Sequence, residues 1–296
     1  MATAHLKLER DGAIAVVTLN RPEARNALSL EMMARLADAW DEIDGDPDLR
    51  VAILTGTEGV FCAGADLKEM HGDQSANPYH KRFMDRDALD AAIAAAHDAG
   101  DEARVTELET ELNGRQDDTP LHWKAFLRDR RLKKPLIAAV EGYALGGGTE
   151  ILQGTDLRVA GEGATFGLTE AKWGLFPLGG STVRLVRQIG YTRAMDMLLT
   201  ARRVSAQEAL DWGLVGQLVA DGKALERAKE LAGLIAANGP FAVQQILASV
   251  RAAEGLPDHA AMATADEYGL PVLYSADARE GARAFREGRS PEFKGA

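Results

Sequence analysis

Two carboxylates and two glycine-rich turns are the features of this sequence that could carry out a reaction. Glu150 follows three consecutive glycines at residues 146–148, and Glu170 lies further along in residues 166–171. A second glycine turn, at residues 61–70, contains Gly64. Glycine lets a ligand approach the backbone, and N–H groups at a helix start have no partner within the helix. Two such turns could direct N–H groups at one oxygen while two acids move protons, which indicates chemistry at a carbonyl group.

Each of these features alone has an ordinary structural explanation. Glycine-rich turns between a strand and a helix are common, and a Glu in a first helical turn is commonly only a favourable contact with the helix dipole. Glu170 by itself would be a solvated residue near a helix end. The run at residues 146–148 is not a nucleotide-binding P-loop, because no Lys-Ser or Lys-Thr follows it. The prediction therefore depends on the combination of the two turns with the two acids.

The apolar pattern predicts the elements that position these residues. Residues 51–54 and 135–140 are short apolar runs typical of buried strands, and each precedes one of the glycine turns. Residues 6–19 alternate polar and apolar side chains around an Asp-Gly pair, which predicts a β-hairpin. Ser29 is the predicted N-cap of a helix with apolar residues at three-to-four spacing. The pattern is typical of an α/β protein.

The chain resembles the crotonase superfamily, also called the enoyl-CoA hydratase/isomerase family, from about residue 16 to residue 293. The motifs that carry the resemblance occur in the family's order: NRP at 20–22 with RNAL at 25–28, FCAGADLKEM at 61–70, ALGGGTE at 144–150, FGLTEAKWGLFPLGG at 166–180 and AF at 284–285. The resemblance implies a crotonase-like spiral core of ββα units over residues 1–200. A helical oligomerisation region over residues 201–296 would follow and build a homotrimer, often doubled to a hexamer.

The segment at residues 71–131 is longer than the loop of the simplest family members. Residues 87–99 and 104–112 are predicted to be helical within it. Four histidines lie there at wide, irregular spacing that indicates no metal site: His71, His80, His97 and His122. Because loops near this position shape the acyl pocket in the family, we expect the insert to cover or reshape that pocket.

The resemblance implies an enoyl-CoA hydratase, which adds water across the double bond of a 2-trans-enoyl-CoA to give 3-hydroxyacyl-CoA. The backbone N–H groups of Ala65 and Gly147 would hold the thioester oxygen. Glu170 would give a proton to C2, and Glu150 would orient and activate the water. Family members with one acid often isomerise the double bond, so an isomerase is the alternative function. A non-catalytic acyl-CoA-binding module is a third possibility.

Coenzyme A would be bound as part of the substrate, and no permanent cofactor is expected. Arg25 and Lys68 are local cations suited to phosphate. Phe285 matches an aromatic residue that packs on the ligand in the family, but the cation expected three residues later is Gly288 here, and Arg289 could take its place. The resemblance places the remaining contacts along Ala24, Ala63, Ala65, Asp66 and Leu67.

Composition limits the classes of partner. The chain has 296 residues, 46% of them hydrophobic and 27% charged, which suits a globular protein with a large core. A net charge of −11 argues against binding to nucleic acid or to an anionic membrane. The sequence contains no apolar run long enough for a signal peptide core or a membrane span, so a cytoplasmic protein is expected.

Two further features concern the thiol and the acyl group. Cys62 is the single cysteine, so no intrachain disulfide can form, and its apolar surroundings predict an inert core residue.

Residues 149–160 and 170–173 resemble an actinobacterial branch of the family in which some members act on bulky steroid side-chain thioesters. The sequence leaves the acyl group open.

Overall fold

The computed structural model describes residues 4–70, 72, 77–114 and 119–295, apart from the side chains of residues 86 and 87. Within them the strands are β1 Leu6–Asp11, β2 Ile14–Leu19, β3 Val51–Gly56, β4 Leu136–Val140, β5 Tyr143–Leu145, β6 Leu157–Gly161, β7 Thr165–Gly167, β8 Arg203–Ser205 and β9 Gln217–Val219. The α-helices are α1 Leu30–Gly45, α2 Leu67–Met70, α3 Arg86–Asp98, α4 Glu102–Gly114, α5 Leu121–Ala125, α6 Gly147–Leu152, α7 Ser181–Ile189, α8 Tyr191–Thr200, α9 Ala206–Trp212, α10 Ala224–Ala236, α11 Pro240–Ala252, α12 Asp258–Leu273 and α13 Ala276–Glu287. Short 3-10 helices lie at Pro22–Ala24, His80–Phe83 and Glu170–Trp173.

Two sheets organise the body of the molecule. The larger sheet has the strand order β1-β2-β3-β4-β6-β9, in which β1 and β2 form an antiparallel hairpin and the other neighbours are parallel. A smaller sheet has the order β5-β7-β8. This mixed α/β architecture confirms the predicted fold class, and both the hairpin over residues 6–19 and the strand at residues 51–54 are present.

The apolar stripe of α1 packs on the larger sheet. Ser29 caps this helix, since its side chain accepts a hydrogen bond from the N–H of Met32. Trp40 is fully buried, and its indole N–H donates to the carbonyl of Ala125 at 3.1 Å. The central parallel strands β3 and β4 are buried on both faces, as expected for continuous apolar runs such as residues 51–54.

The insert contains the two predicted helices. They are α3 and α4, within one or two residues of the expected bounds. The short helix α5 had no clear sequence signal. His80, His97 and His122 lie in different elements, while His71 lies outside the described residues. No group of three or more potential metal ligands occurs among the described residues.

The chain after residue 200 is less purely helical than the sequence pattern indicates. The strands β8 and β9 complete the smaller and the larger sheet, and α10 packs on the larger sheet through Ala224, Ala228 and Ala232. These strands have only three residues each, too short for a clear alternation. The boundary at residue 200 stays a prediction. In the described part of the chain no single helix could span a membrane, although the bent pair α10 and α11 meets the length and composition criteria together.

Candidate active site

A sharp turn at Gly146 connects β5 to α6. Gly146 has φ 52° and ψ −124°, a conformation that a residue with a Cβ rarely adopts. Its N–H donates to the carbonyl of Gly167 at 2.8 Å. The hydroxyl of Thr149 donates to the carbonyl of Ala144 at 2.6 Å, which ties α6 back to β5. The start of α6 is therefore held rigidly at this end of the smaller sheet.

The first glycine turn packs directly against this one. The N–H of Cys62 donates to the carbonyl of Tyr143 at 3.0 Å, and the N–H of Leu145 donates to the carbonyl of Cys62 at 2.9 Å. A methyl group placed on Gly64 would lie 2.8 Å from the Leu145 carbonyl oxygen, and one on Gly146 would lie 3.7 Å from Gly64 Cα. The close approach to the Leu145 carbonyl explains the glycine at position 64, and the positive φ explains the glycine at position 146.

Two backbone N–H groups at these turns, in the described part of the chain, do not donate a hydrogen bond. Within the part of the chain that the structure describes, neither Ala65 nor Gly147 donates a backbone hydrogen bond, whereas the N–H of Asp66 donates to Leu28 and that of Glu150 donates to Gly146. A methyl group on Gly147 would lie 2.9 Å from the Phe126 ring and 3.0 Å from Leu28 Cδ1, so a side chain here would displace these groups. Free donors on adjacent turns are suited to an oxyanion.

Glu150 is a buried carboxylate surrounded by donors. It is 4% exposed, and its Oε1 accepts hydrogen bonds from the Ser181 N–H at 3.3 Å and the Ser181 hydroxyl at 3.0 Å. Burial raises the pKa of Glu150, while the N–H of Gly179, the Ser181 donors and the positive charge of Arg128 act in the opposite direction. The carboxylate is therefore held in place by groups that favour its ionised form.

Glu170 has a different environment. Burial, together with the nearby negative charge of Glu150, raises the pKa of Glu170 to about 7, opposed only by the residue's own backbone N–H. Its Oε2 is buried and has no hydrogen-bond partner among the described residues. A carboxyl group in this state is protonated for much of the time near neutral pH and can act as an acid.

Both acids lie close to the start of α6, since Glu150 is in its first turn and Glu170 approaches Gly146. A methyl group on Gly146 would lie 3.2 Å from Glu170 Oε1, and one on Gly179 would lie 2.8 Å from Glu150 Cδ. The structure thus brings Glu150, Glu170 and the two glycine turns together. Such an arrangement can stabilise negative charge on one oxygen while one acid accepts a proton and the other donates one.

The residues expected along coenzyme A are partly occupied by structural contacts. The Ala63 N–H donates to the carbonyl of Arg25 at 3.1 Å, and Arg25 itself has a positive φ after the 3-10 turn that contains Ala24. Asp66 binds Arg21 Nη1 at 2.6 Å, so its carboxylate holds the loop. Leu67 is half-buried, and the side chains of Arg25 and Lys68 are exposed.

The C-terminal residues are not packed on the turns. Phe285 is 90% exposed on α13, and Gly288 ends that helix. Arg289 is bound to Glu280 at 2.6 Å and to Glu287 at 2.6 Å. Within the described residues the structure does not bring Phe285 or Arg289 to the two acids.

Several site residues were missed from the sequence. Ser181 follows the FPLGG run and could have been identified as the start of α7, but only the fold brings its hydroxyl to Glu150. Arg128, whose positive charge acts on Glu150, lies in the insert, where the sequence gives no sign of this interaction. Cys62 is inert as expected, since burial raises the pKa of its thiol to about 12.

Two cavities lie on the described surface, one beside the insert and one beside the smaller sheet. One of about 740 Å³ lies between α1, α4, α5 and the 3-10 helix His80–Phe83, and one of about 440 Å³ lies beside Trp173 and Arg203. Neither is lined by Glu150 or Glu170.

Comparison with known proteins shows which family the chain belongs to. The family model described as enoyl-CoA hydratase/isomerase matches residues 9–96 and 103–296. The chain belongs to the enoyl-CoA hydratase/isomerase family. It is 50% identical over 287 residues to enoyl-CoA hydratase EchA19 of Mycobacterium tuberculosis, covering 97% of this chain and 95% of that protein.

Other members of the enoyl-CoA hydratase/isomerase family are similar over nearly the whole chain. A 2,3-dehydroadipyl-CoA hydratase from Escherichia coli is 33% identical, with 99% of each chain covered. The crystal structure of an enoyl-CoA hydratase from Mycobacterium tuberculosis superposes with a TM-score of 0.80 at 36% identity, covering 99% of this chain and all of that one. The protein is accordingly an enzyme of the enoyl-CoA hydratase type with the crotonase fold.

Proposed function

We propose that the protein hydrates 2-trans-enoyl-CoA thioesters to 3-hydroxyacyl-CoA. The observation that carries this proposal is the pair of buried acids, Glu150 and Glu170, beside two glycine turns with free N–H groups. A single acid would suffice to move a proton within a substrate. Addition of water needs a base for the water and an acid for C2, which supports hydration.

The proposed reaction uses the two acids in opposite roles. The thioester oxygen accepts hydrogen bonds from the N–H groups of Ala65 and Gly147, which makes C3 electrophilic. Ionised Glu150 takes a proton from water as the water oxygen bonds to C3, and protonated Glu170 gives its proton to C2. The protons are then exchanged with solvent, and no cofactor is required. Each positioned acid or base contributes on the order of 10² to 10⁴ in rate.

The two backbone donors are expected to supply the largest single contribution. Removal of one oxyanion donor typically costs about 2.7–4 kcal/mol of transition-state stabilisation. Since they are main-chain groups, the sequence can protect them only through the conformation of Gly64 and Gly146. The positive φ of both glycines and the close backbone contact at Gly64 support this role.

Coenzyme A is proposed to lie along residues 24–25 and 63–68. The exposed cations Arg25 and Lys68 are suited to its phosphates, and Asp66 keeps the loop in place through Arg21. Phe285 is proposed to reach the ligand only from another subunit, since it is 90% exposed within its own chain.

An oligomer is supported by the exposed apolar side chains of α11 and α12. Neither helix has a buried residue, and large apolar side chains on them are 62–69% exposed: Ile246, Val250, Met262 and Leu273. Such a surface is expected to be covered in a homotrimer or hexamer. Light scattering after size-exclusion chromatography gives the mass directly, and a monomer at micromolar concentration would contradict this assignment.

The acyl group is open, because relatives are named for varied substrates. They include a mevalonyl-coenzyme A hydratase and an (E)-benzylidenesuccinyl-CoA hydratase, as well as a hydratase/isomerase. The test is a panel of crotonyl-, decenoyl- and steroid-enoyl-CoA, followed by loss of enoyl absorbance, together with a 3-enoyl-CoA. Faster hydration of at least one 2-enoyl-CoA is expected. Faster conversion of the 3-enoyl-CoA would instead identify an isomerase.

A further inference from the structure

Gln153 is a polar side chain that is buried as deeply as the proposed base. It is 1% exposed, Glu150 is 4% exposed, and Ser181 is fully buried. Gln153 follows the last residue of α6 and lies three residues after Glu150, so the two side chains share one face of that helix. Glutamine is mostly an exposed residue, and a buried amide needs hydrogen-bond partners. Its hydrogen bonds therefore indicate why it lies in the interior here.

A continuous series of hydrogen bonds joins Gln153 to Glu150 through Ser181. The Gln153 Nε2 atom lies 2.8 Å from Ser181 Oγ, and Ser181 Oγ lies 3.0 Å from Glu150 Oε1. An amide N–H can only donate, and an ionised carboxylate can only accept. The Ser181 hydroxyl, which has a single proton, therefore accepts from Gln153 and donates to Glu150. These three side chains are called the hydrogen-bond series below.

The orientation of the Gln153 amide is set by a second acceptor. Its Nε2 also donates to the carbonyl of Thr149 at 3.3 Å. With the opposite orientation the amide oxygen would face this carbonyl oxygen, and two acceptors cannot form a hydrogen bond. The observed orientation leaves Gln153 Oε1 buried and without a partner among the described residues, which is unfavourable. The N–H group directed at Ser181 is thus kept although the other end of the amide is unsatisfied.

Backbone contacts hold both ends of the hydrogen-bond series. The carbonyl of Gln153 accepts a hydrogen bond from Gln188 Nε2 at 3.0 Å, and its N–H donates to the carbonyl of Glu150 at 3.2 Å. The backbone N–H of Ser181 also donates to Glu150 Oε1, at 3.3 Å. Because both backbones are fixed in this way, the direction of the Ser181 O–H bond is what the Gln153 amide controls.

The other ionisable groups near Glu150 lie outside the hydrogen-bond series. Glu170 on the neighbouring 3-10 helix and Arg128 in the insert interact with Glu150 through their charges. The Arg184 guanidinium on α7 donates to backbone carbonyls, and the Cys62 thiol is neutral because burial raises its pKa to about 12. A change of the amide in the series therefore leaves these charges in place.

We propose that Gln153 is a positioning residue for the reaction, which fixes the Ser181 hydroxyl as a donor to Glu150 and so keeps that carboxylate in its base form. The inference rests on the proposed function, because it takes Glu150 as the base. Without the amide N–H the Ser181 hydroxyl is free to rotate away from the carboxylate. Glu150 would then lose a hydrogen bond that favours its ionised form.

The test compares the pH dependence of kcat/KM in the wild-type enzyme, Gln153→Met, Ser181→Ala and the double variant. Methionine has a similar length but no N–H, so the acidic limb should move to higher pH. The loss relative to wild type should be about twofold to fivefold greater at about pH 5 than at about pH 8. The double variant should have the same acidic limb as Ser181→Ala alone, because Gln153 acts only through that hydroxyl.

Two further variants complete the test. Thr155→Val removes another buried hydroxyl, which donates to the carbonyl of Leu152 at 2.7 Å, and should leave the acidic limb unchanged. Gln153→Asn shortens the side chain by one methylene group and should shift the limb as Gln153→Met does, which decides the question if Gln153→Met does not fold.

Two results would overturn the role of Gln153. One is a loss of kcat/KM by the same factor at every pH in both Gln153 variants, which is the signature of a purely structural role. The other is an acidic limb that moves further in the double variant than in Ser181→Ala, since Gln153 would then act independently of the hydroxyl. A wild-type enzyme without hydratase activity would instead overturn the proposed function itself.

Discussion

The surroundings of Glu150 and of Glu170 differ although the two residues have the same side chain. Glu150 lies beneath the loop at residues 179–181 and accepts hydrogen bonds from two backbone N–H groups and a hydroxyl. Glu170 has a buried oxygen without any partner in the described chain and a pKa raised to about 7. The base and the acid that we propose are thus identical groups in different surroundings.

The largest effect is expected from removal of either acid. Glu150→Gln and Glu170→Gln should each lower kcat on the order of 10² to 10⁴ with little change in acyl-CoA affinity, because the loss falls on proton transfer. Steady-state kinetics and calorimetric binding measure the two quantities. Glu162→Gln changes an exposed glutamate and serves as the control. An active double variant would contradict the assignment of both residues.

The second largest effect is expected from Gly179→Ala, which changes the position of the Glu150 carboxylate. In Gly179→Ala the new methyl group would lie 2.8 Å from Glu150 Cδ and displace the carboxylate. A displacement of this size should lower kcat by roughly 10- to 100-fold while the protein stays folded. Gly233→Ala adds a methyl group where nothing lies within 4 Å, so it should not affect kcat. Equal kinetics for the two variants would show that the loop does not position Glu150.

A smaller effect is expected from removal of one hydrogen-bond donor to Glu150. Ser181→Ala removes the hydroxyl at 3.0 Å but keeps the backbone N–H. The change should raise the Glu150 pKa and lower kcat/KM by about threefold to tenfold on the acidic side, with little loss at higher pH. Ser290→Ala, at an exposed serine, is the control in the same pH series. An unchanged acidic limb in Ser181→Ala would argue against Glu150 as the base.

The smallest effect is expected in the pH dependence of the free energy of unfolding, and it tests the environment of Glu170. The folded protein holds the Glu170 proton more tightly than the unfolded chain does, because its pKa is about 7 rather than 4.5. This stabilisation is fully present below about pH 4.5 and is lost as the pH rises to about 7. Glu170→Gln should remove that part of the pH dependence in denaturant unfolding. A variant that follows the wild-type curve would show that the group is not perturbed.

The sequence predicted what depends on local pattern. The hairpin, the capped helix α1, the strand before each glycine turn and the helices of the insert have strong periodicity or capping signals. The strands β8 and β9 were missed because three residues are too few for an alternating pattern. The role of each sheet in joining the two turns became visible only in the structure.

The residues of the site also fall into those that the sequence predicted and those that only the structure revealed. Glu150, Glu170 and the glycines could be named from the sequence because they lie in distinctive motifs whose order resembles a known family. The hydrogen-bond donors to Glu150 could not, since Ser181 comes from a segment that reaches this residue only through tertiary packing. Phe285 shows the limit of such a resemblance, because its position in a single chain leaves it exposed.

The most direct test of the different protonation behaviour proposed for Glu150 and Glu170 is an infrared titration of the carboxyl groups. The protein would be labelled with ¹³C at glutamate. Comparison of the wild-type enzyme with Glu170→Gln isolates the band of this residue. The account predicts a carboxyl group that titrates at about pH 7 in the wild type and is absent from the variant. A Glu170 that loses its proton near its ordinary value of 4.5 would contradict the assignment of this residue as the acid.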